Sequence, residues 1–317
     1  LPTFQSAGVL APILLIVFRL IQGLSAGGEA MGSNALVAEY APSDRRGSYV
    51  GFTYSFANLP AIFAALFILL LTNVLSPEDY QVWGWRIPFL LGGVFSLVGL
   101  YIRSRIAESP VFESTRAEQG VSRSPLREAV QEYRQSMVFA FAMSSLAGLG
   151  FYTLTGYFST YLRESVGLSS NAALISNSIA LTVAFFAMPL GGWVSDHIGW
   201  SAAASALVAV PAYLLAGTGS LGGAVAGQSV LALTLGVFFG PFGIAILELF
   251  PTHVRYSGSS IGYNGAYLIF GGTAPLFSTW LVAATGSLLA PAVYMAVLAA
   301  CVFFAVMRMP ETYRRPL

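Results

Sequence analysis

Long apolar runs recur along this chain of 317 residues and limit the folds open to it. The runs at 88–102, 138–162 and 288–307 approach or reach the length of about 20 residues that a helix needs to cross a hydrocarbon core. Only 9% of the residues are charged, against about a quarter in an ordinary soluble domain. A soluble core could not hide so much apolar surface, so the sequence predicts an all-α integral membrane protein.

Apolar stretches between charged or Gly/Pro-rich breaks predict nine membrane helices. They cover residues 11–40, 48–74, 87–104, 136–162, 172–194, 201–218, 222–250, 257–284 and 290–307. Arginines are distributed unevenly, with twelve in alternate loops and the C-terminal segment and two in the remaining loops. By the positive-inside rule, we expect the arginine-rich loops and the C-terminus to face the cytoplasm.

One long hydrophilic stretch interrupts the apolar pattern at residues 105–135. Arg and Glu alternate in it, and the pair Ser124 and Pro125 is typical of a helix start. We predict an incomplete N-terminal bundle of three spans at 1–104, a cytoplasmic linker at 105–135 and a six-helix C-terminal bundle at 136–317. A solvated surface helix is the simpler interpretation of the linker, and a separate regulatory domain is the alternative.

An internal repeat relates the two bundles. Two segments share the pattern E-x-x-P-x-x-x-R at a predicted helix end, offset by 209 residues: Glu39, Pro42 and Arg46 in the first, and Glu248, Pro251 and Arg255 in the second. Parallel repeats of this kind build the two halves of many membrane transporters. The same offset would place the counterpart of the loop at 192–199 before Leu1. We therefore expect three further spans upstream and nine of twelve helices in this chain.

Five short motifs follow one another along the chain. They are RLIQGLSAGGE at 19–29, AEYAP at 38–42, WGWRIPF at 83–89, ESPVF at 108–112 and ELFPT at 248–252. In this order they resemble the metabolite:proton symporter family of the major facilitator superfamily, which includes carriers of proline/betaine, shikimate, α-ketoglutarate and citrate. The resemblance implies the major facilitator fold. One loop departs from the superfamily's gate pattern G-x-x-x-D-R-x-G-R-R, because His197 and Trp200 stand where basic residues are usual.

Polar residues of the first predicted span share one side of the helix. At 100° per residue, Arg19, Gln22, Glu29 and Ser33 fall within an arc of about 80°. An ionisable group near the centre of a span is disfavoured by about 2.5–3.5 kcal/mol and calls for a reason. We predict that Arg19 attracts a substrate carboxylate or tunes a nearby acid, and that Glu29 carries the proton. A fixed ion-pair network with partners in the upstream helices is the alternative.

Further polar positions in other spans extend the predicted pathway for substrate and proton. They are Asn58 in the second span, Tyr152 and Thr155 in the fourth, and Tyr263, Asn264 and Tyr267 in the eighth. Such faces suit a small polar solute. Tyrosines also occupy helix interfaces without touching a ligand, so packing is an equal alternative for each of these positions.

Charged residues at the predicted cytoplasmic helix ends form a candidate gate. The set comprises Glu39, Arg45, Arg46, Asp196, Glu248 and Arg255. The resemblance implies that Asp196 reaches the start of the second span near Arg46, Gly47 and Ser48. A carboxylate there would meet the positive end of a helix dipole, which is worth about 0.3–1 kcal/mol when exposed and up to ~2 when partly buried. A solvated aspartate that caps its own loop is the alternative.

These features predict a secondary active transporter that moves a small organic anion or zwitterion together with a proton, by rocking two bundles about a midplane site. A proton-coupled antiporter that exports drugs or metabolites is the alternative, and an integral-membrane enzyme or sensor would need a catalytic cluster or an appended domain. We expect a monomer in a bacterial inner membrane, with a small-molecule substrate, a proton and lipid as its partners. The motifs of nucleotide, zinc and nucleophile sites are absent from the sequence, so we expect no enzyme activity, cofactor, metal site or nucleic-acid partner.

Overall fold

The computed structural model describes residues 4–105, 125–198 and 204–309, and these ranges contain helices and turns but no strand. The helices named below are α1 (Leu10–Tyr40), α2 (Arg46–Val74), α3 (Ile87–Arg103), α4 (Pro125–Glu132), α5 (Arg134–Tyr152), α6 (Ser170–Ile198), α7 (Ala204–Ala216), α8 (Leu221–Glu248), α9 (Thr252–Ala266), α10 (Ala274–Thr285) and α11 (Ala290–Val306). A short helix, Pro77–Val82, and a turn of 3₁₀-helix, Gly84–Arg86, connect α2 to α3.

Each of the nine predicted spans coincides with a helix or helix run in the described ranges. Six of these are long and apolar enough to cross a membrane, and α11 is a shorter apolar helix. The remaining two are α1, with 31 residues, and α7, which begins next to residues outside the description. The prediction of an all-α membrane fold is confirmed.

Local sequence sets several helix ends. The Ser220 hydroxyl accepts a hydrogen bond of 3.1 Å from the Gly223 amide and so caps the start of α8. α10 ends at Gly286, whose φ of 67° lies in the left-handed region that glycine adopts without strain. Such caps matter in a membrane protein, because the unpaired N–H and C=O groups at a helix end find no hydrogen-bond partner in lipid.

α6 packs between α2 and α8 through small residues. A Cβ atom added at Gly51 of α2 would lie 2.7 Å from the Met188 carbonyl oxygen of α6. On the other side of α6, a Cβ at Gly240 of α8 would lie 2.1 Å from the Gly192 amide nitrogen. Backbones approach this closely in membrane proteins because dispersion contacts, rather than burial from water, hold the helices together.

Three π-helical turns interrupt the long helices. Thr153–Tyr157 and Tyr161–Ser165 follow α5, and Tyr267–Gly271 follows α9. Next to them, α5 and the turn after α9 interlock in a reciprocal way. The Tyr267 ring lies over Gly148, where a Cβ would come 3.2 Å from its Cδ2, and the Tyr152 ring lies over Gly271, where a Cβ would come 2.7 Å from its Cδ2.

The described end of the predicted linker forms α4, which docks on α9. Ala129 is fully buried, and a Glu128 carboxylate oxygen lies 2.8 Å from the His253 Nε2 at the start of α9. The Tyr133 ring meets the same imidazole edge-on at 6.4 Å. The expected surface helix is therefore anchored to the second half, while the rest of the linker lies outside the described residues.

Candidate functional site

A cavity of about 130 Å³ lies between helices of the two repeats. α1 and α2 form one wall, and α5, α6, α8 and the α9 region form the other. The lining residues are Ala30, Ser33, Asn34, Thr53, Tyr54 and Ala57 on the first wall, and Phe151, Met188, Phe239, Tyr263 and Tyr267 on the second. Among the described residues, this lining contains polar and aromatic groups and no charged side chain.

α1 and α2 contribute one amide and three hydroxyl groups to the cavity, and the second wall adds the hydroxyls of Tyr263 and Tyr267. Two hydroxyls donate within their own helices, Ser33 to the Ala30 carbonyl at 3.0 Å and Thr53 to the Tyr49 carbonyl at 3.3 Å. The Tyr54 hydroxyl lies beside Asn34 but is buried without a hydrogen bond to any group in the described ranges. A buried hydroxyl without a hydrogen bond is costly, and Asn34 is the polar side chain placed beside it to reduce that cost.

Aromatic rings surround the opposite side of the cavity at differing angles. Phe151 and Phe239 meet nearly edge-to-face, with centroids 6.4 Å apart and planes at 71°. Tyr54 reaches across from α2 to Phe239 at 5.5 Å and 49°. Tyr263 and Tyr267 stack on each other at 4.0 Å. The rings therefore present several faces and edges around one small volume.

Asp196, near the end of α6, binds the start of α2. One carboxylate oxygen accepts from the Gly47 amide at 2.8 Å, and the other accepts from the Ser48 amide at 2.9 Å and the Ser48 hydroxyl at 2.6 Å. The carboxylate thus satisfies backbone donors that a helix start leaves unpaired, at the positive end of its dipole. The predicted contact between Asp196 and this helix start is present.

Glycines make that contact possible. A Cβ atom at Gly192 would lie 2.2 Å from the Gly47 carbonyl oxygen, and one at Gly47 would lie 2.6 Å from Asp196 Oδ1. Both distances are far below van der Waals contact. A side chain at either position would push α2 and α6 apart.

A second contact at the same end joins the two copies of the repeated motif. Arg255 of the second copy donates from Nη1 to Glu39 of the first at 3.3 Å, and the two side chains are only 5% and 10% exposed. Arg255 also donates from Nε to the carbonyls of Leu247 and Phe250. Arg46 and Glu248, the remaining charged members of the motif, lie within electrostatic range of Arg255. These charges form one cluster across the repeats.

Two of the predicted pathway residues, Tyr263 and Tyr267, line the cavity. The other described pathway residues lie nearby without lining it. Asn58 is buried and donates to the Tyr54 carbonyl and the Met188 sulfur, Tyr152 packs edge-on against Tyr267, Thr155 donates to the Phe151 carbonyl, and Asn264 donates to the Ser260 carbonyl. The side chains of Arg19, Gln22 and Glu29 lie outside the described residues.

Arg45, also a predicted gate residue, lies at the exposed surface and makes no described contact with the Asp196 carboxylate. Arg45 pairs with its neighbour Asp44 at 3.7 Å, and both side chains are more than two-thirds exposed. The hydrogen bonds of the Asp196 carboxylate described above go instead to Gly47 and Ser48. An exposed pair of this kind contributes about 0–1 kcal/mol.

The family model of the Major Facilitator Superfamily matches residues 3–273. This chain belongs to the major facilitator superfamily. Its relatives include the ectoine/proline transporter ProP of Corynebacterium glutamicum, 32% identical over all of this chain and 67% of the relative. The proline/betaine transporter of Escherichia coli K12 is 29% identical over all of this chain and 66% of the relative. The predicted resemblance and the interpretation as a transporter rather than an enzyme are confirmed.

Solved structures of this superfamily share the fold. A D-xylose-proton symporter superposes with a TM-score of 0.64 at 19% identity, covering 90% of this chain and 69% of the symporter. The E. coli fucose:proton symporter FucP gives 0.58 at 19% identity, covering 89% and 73%. This chain spans about two thirds of the length of its proline/betaine relatives.

Sequence reasoning missed several cavity residues of this superfamily member. Asn34, Tyr54, Phe151, Met188 and Phe239 line the cavity, and none of them was predicted to do so. Asn34 was the easiest to find, because it is a polar residue next to Ser33, which belongs to the predicted polar arc. The aromatic residues gave no such signal, since apolar rings occur all along the spans.

Proposed function

We propose that the protein is a proton-coupled symporter that takes up a small zwitterion or organic anion by alternating access. The observation that carries the proposal is the cavity between the two repeats, together with the contacts that join the repeats at one end. A solute held in this cavity would touch both halves, so its binding could be coupled to their relative movement. The relatives named for proline, betaine and ectoine support this class of solute.

The closed end is proposed to face the cytoplasm, because the loops that carry Arg45, Arg46 and Arg255 belong to the arginine-rich set. Asp196 and Glu39 make their contacts only while the ends of the two halves touch. Opening toward the cytoplasm would break both contacts. Their presence supports an outward-facing or occluded state, in which they stabilise the cytoplasmic closure.

Proton transfer and the attraction of anionic groups into the pathway are assigned to α1. Glu29 directly precedes Ala30, which lines the cavity, and is the proposed proton carrier. Arg19 lies ten residues earlier, about 15 Å along the axis, and is proposed to attract anionic groups. Gln22 lies between them on the same predicted arc. Because Glu29 and Arg19 are too far apart along the helix to pair, the two roles are separable by mutation.

Uptake by purified protein in proteoliposomes tests the function. Radiolabelled proline and glycine betaine should accumulate when the outside is more acidic than the lumen, and accumulation should collapse with a protonophore. An antiporter would instead accumulate solute when the lumen is the more acidic side. Equal uptake under both gradients, or uptake of neither solute, would contradict the proposed symport.

We also propose the membrane location and the orientation of the chain. A multi-pass monomer of a bacterial inner membrane, with bundles at 1–104 and 136–317 joined by the linker at 105–135, would place the C-terminus in the cytoplasm. A C-terminal epitope should then resist protease in intact spheroplasts and be cleaved in inverted vesicles. Cleavage in spheroplasts would reverse the orientation and, with it, the side assigned to the closed end.

A further inference from the structure

The two walls of the cavity differ in chemistry. All four aromatic residues of the second wall, Phe151, Phe239, Tyr263 and Tyr267, come from helices of the second repeat. The first wall supplies the amide of Asn34 and three hydroxyl groups among small residues. A solute that binds between them meets mainly aromatic rings on one side, with the hydroxyls of Tyr263 and Tyr267, and mainly hydrogen-bonding groups on the other.

The arrangement of rings differs from that of aromatic residues used for packing alone. Phe238 precedes Phe239 in α8, and both rings are buried in the core, but Phe238 is not among the described residues that line the cavity. Phe239 instead borders the empty volume, where Phe151 crosses it at 71°. A ring face carries negative electrostatic potential and attracts a cation within about 6 Å of its centroid. Several rings at large mutual angles around one small volume can therefore surround a compact cation.

A substituted ammonium group fits such a wall better than a primary one. Each N–H of a primary ammonium loses a hydrogen bond to water when it enters a cavity of aromatic rings. Among the described residues, that wall offers the hydroxyls of Tyr263 and Tyr267 as acceptors and no carboxylate or amide side chain. An N-methylated or cyclic ammonium group has fewer N–H donors or none. It exposes alkyl groups that contact the rings while its charge is attracted by them.

The opposite wall is suited to a carboxylate. The Tyr54 hydroxyl can donate a hydrogen bond and is buried without a partner in the described ranges. The Asn34 side chain lies beside it, is 3% exposed overall, and carries two amide donors. Donors aimed at a carboxylate oxygen in a dry cavity make charge-assisted hydrogen bonds that are stronger than neutral ones.

The geometry points to a zwitterion bound across the cavity, with its substituted ammonium group against Phe151, Phe239 and the tyrosine stack, and its carboxylate toward Asn34 and Tyr54. This inference rests on the proposed function and goes beyond it by assigning the orientation and the basis of selectivity. The ammonium group binds the second repeat and the carboxylate binds the first. A zwitterion therefore contacts both walls of the cavity through its charged groups. A solute that has only one of the two charged groups makes such a contact with only one wall.

Stepwise fluorination of one ring tests the ammonium side. Fluorine withdraws electron density from a ring and so makes the potential of the ring face less negative, with little change in the shape of the side chain. Replacing Phe239 by mono-, di- and trifluorophenylalanine should weaken glycine betaine binding progressively, by about 2- to 30-fold in total. The same series at Phe238 is the matched control and should leave binding unchanged. Calorimetry on purified protein measures the affinity without requiring transport.

Two ligands and two variants test the carboxylate side. Choline shares the quaternary ammonium group and lacks the carboxylate, and 3,3-dimethylbutyrate shares the carboxylate and replaces the charged nitrogen by carbon. Tyr54→Phe and Asn34→Ala should each weaken glycine betaine about 5-fold or more, in keeping with a charge-assisted hydrogen bond, and leave choline unchanged. Fluorinated Phe239 should weaken choline and leave dimethylbutyrate unchanged.

The outcomes separate this inference from the function on which it rests. Proton-driven betaine uptake together with equal affinities across the Phe239 series would overturn the orientation and leave symport standing. Equal losses for the Phe238 and Phe239 series would also overturn it, because they indicate general disturbance of packing. Failure of every zwitterion to bind or be transported would remove the proposed function and the orientation together.

Discussion

Arg255 and Glu39 form an ion pair between the two copies of one repeated sequence motif, with a nitrogen–oxygen distance of 3.3 Å and almost no exposure. Each charge alone would be strongly disfavoured in such surroundings, since removing one partner of a buried pair costs about 3–5 kcal/mol. The pair can therefore exist at low free energy only while the ends of the two halves are together. Separation of the halves must let water reach both groups.

Glu39→Gln should shift the protein toward a state open at the Asp196 end. The substitution removes the carboxylate to which Arg255 donates a hydrogen bond, and a loss of about 1.4 kcal/mol in the closed state already raises the open population tenfold. Val50 is fully buried near this end, so Val50→Cys in a Cys301→Ala background reports opening through the rate of thiol labelling. Labelling should accelerate about tenfold or more.

Arg45→Gln is the matched control for Glu39→Gln. Arg45 also belongs to an ion pair at a helix end, but its side chain is 71% exposed. We expect Arg45→Gln to leave the rate of thiol labelling at Val50→Cys equal to that of the protein without the Arg45 substitution. Equal acceleration in both variants would mean that surface charge, and not the buried pair, sets the equilibrium.

Asp196→Asn should also increase opening at this end, by a smaller factor than Glu39→Gln. The amide keeps the size of the carboxylate but loses its charge at the helix start, where a charge–dipole interaction is worth about 0.3–2 kcal/mol. Distances between spin labels on the two halves would report the open fraction. Glu164→Gln, at an exposed pair with Arg163, should leave the distance distribution unchanged, and an unchanged distribution in Asp196→Asn would refute the closing role.

Gly192→Ala should prevent the close approach of α2 and α6. Its Cβ would lie 2.2 Å from the Gly47 carbonyl oxygen, where backbone rather than a flexible side chain must move. We expect a lower melting temperature and faster labelling at Val50→Cys. Gly99→Ala is the control, because a Cβ there meets nothing within 4 Å and alanine favours a helix by about 1 kcal/mol over glycine.

Glu29→Gln should uncouple solute movement from the proton gradient if Glu29 carries the proton. The variant would exchange labelled for unlabelled solute across the membrane but would not accumulate it under a pH gradient. Glu164→Gln, which neutralises a carboxylate of the exposed pair with Arg163, is the matched control and should retain gradient-driven accumulation. Normal accumulation by Glu29→Gln would favour a structural role for this carboxylate.

The membrane helices were predictable because their length and apolarity are set by the bilayer rather than by detailed packing. The contact of Asp196 was predictable for a different reason. Its position followed from the resemblance to a family whose gate pattern it shares, together with the repeat that defines the helix opposite it. Neither inference required knowledge of side-chain conformations.

The cavity wall and the π-helical turns were not predictable in this way. Phe238 and Phe239 are neighbours of the same type and are equally buried, yet Phe239 lines the cavity and Phe238 does not. Their difference depends on the position of α5 and α9 around α8, which no local pattern encodes. The π-helical turn Thr153–Tyr157 contains neither proline nor a charged residue, so the sequence offered no helix-breaking signal at this position.

The packing of Tyr267 against Gly148 means that a residue outside the cavity lining can change the width of the cavity. Gly148 does not line the cavity, yet the ring that it supports does. One added methyl group at this position would displace the Tyr267 ring and change the volume left for a solute, with every cavity-lining residue kept. Changes of substrate preference among related carriers could therefore arise at positions that a comparison of lining residues would pass over.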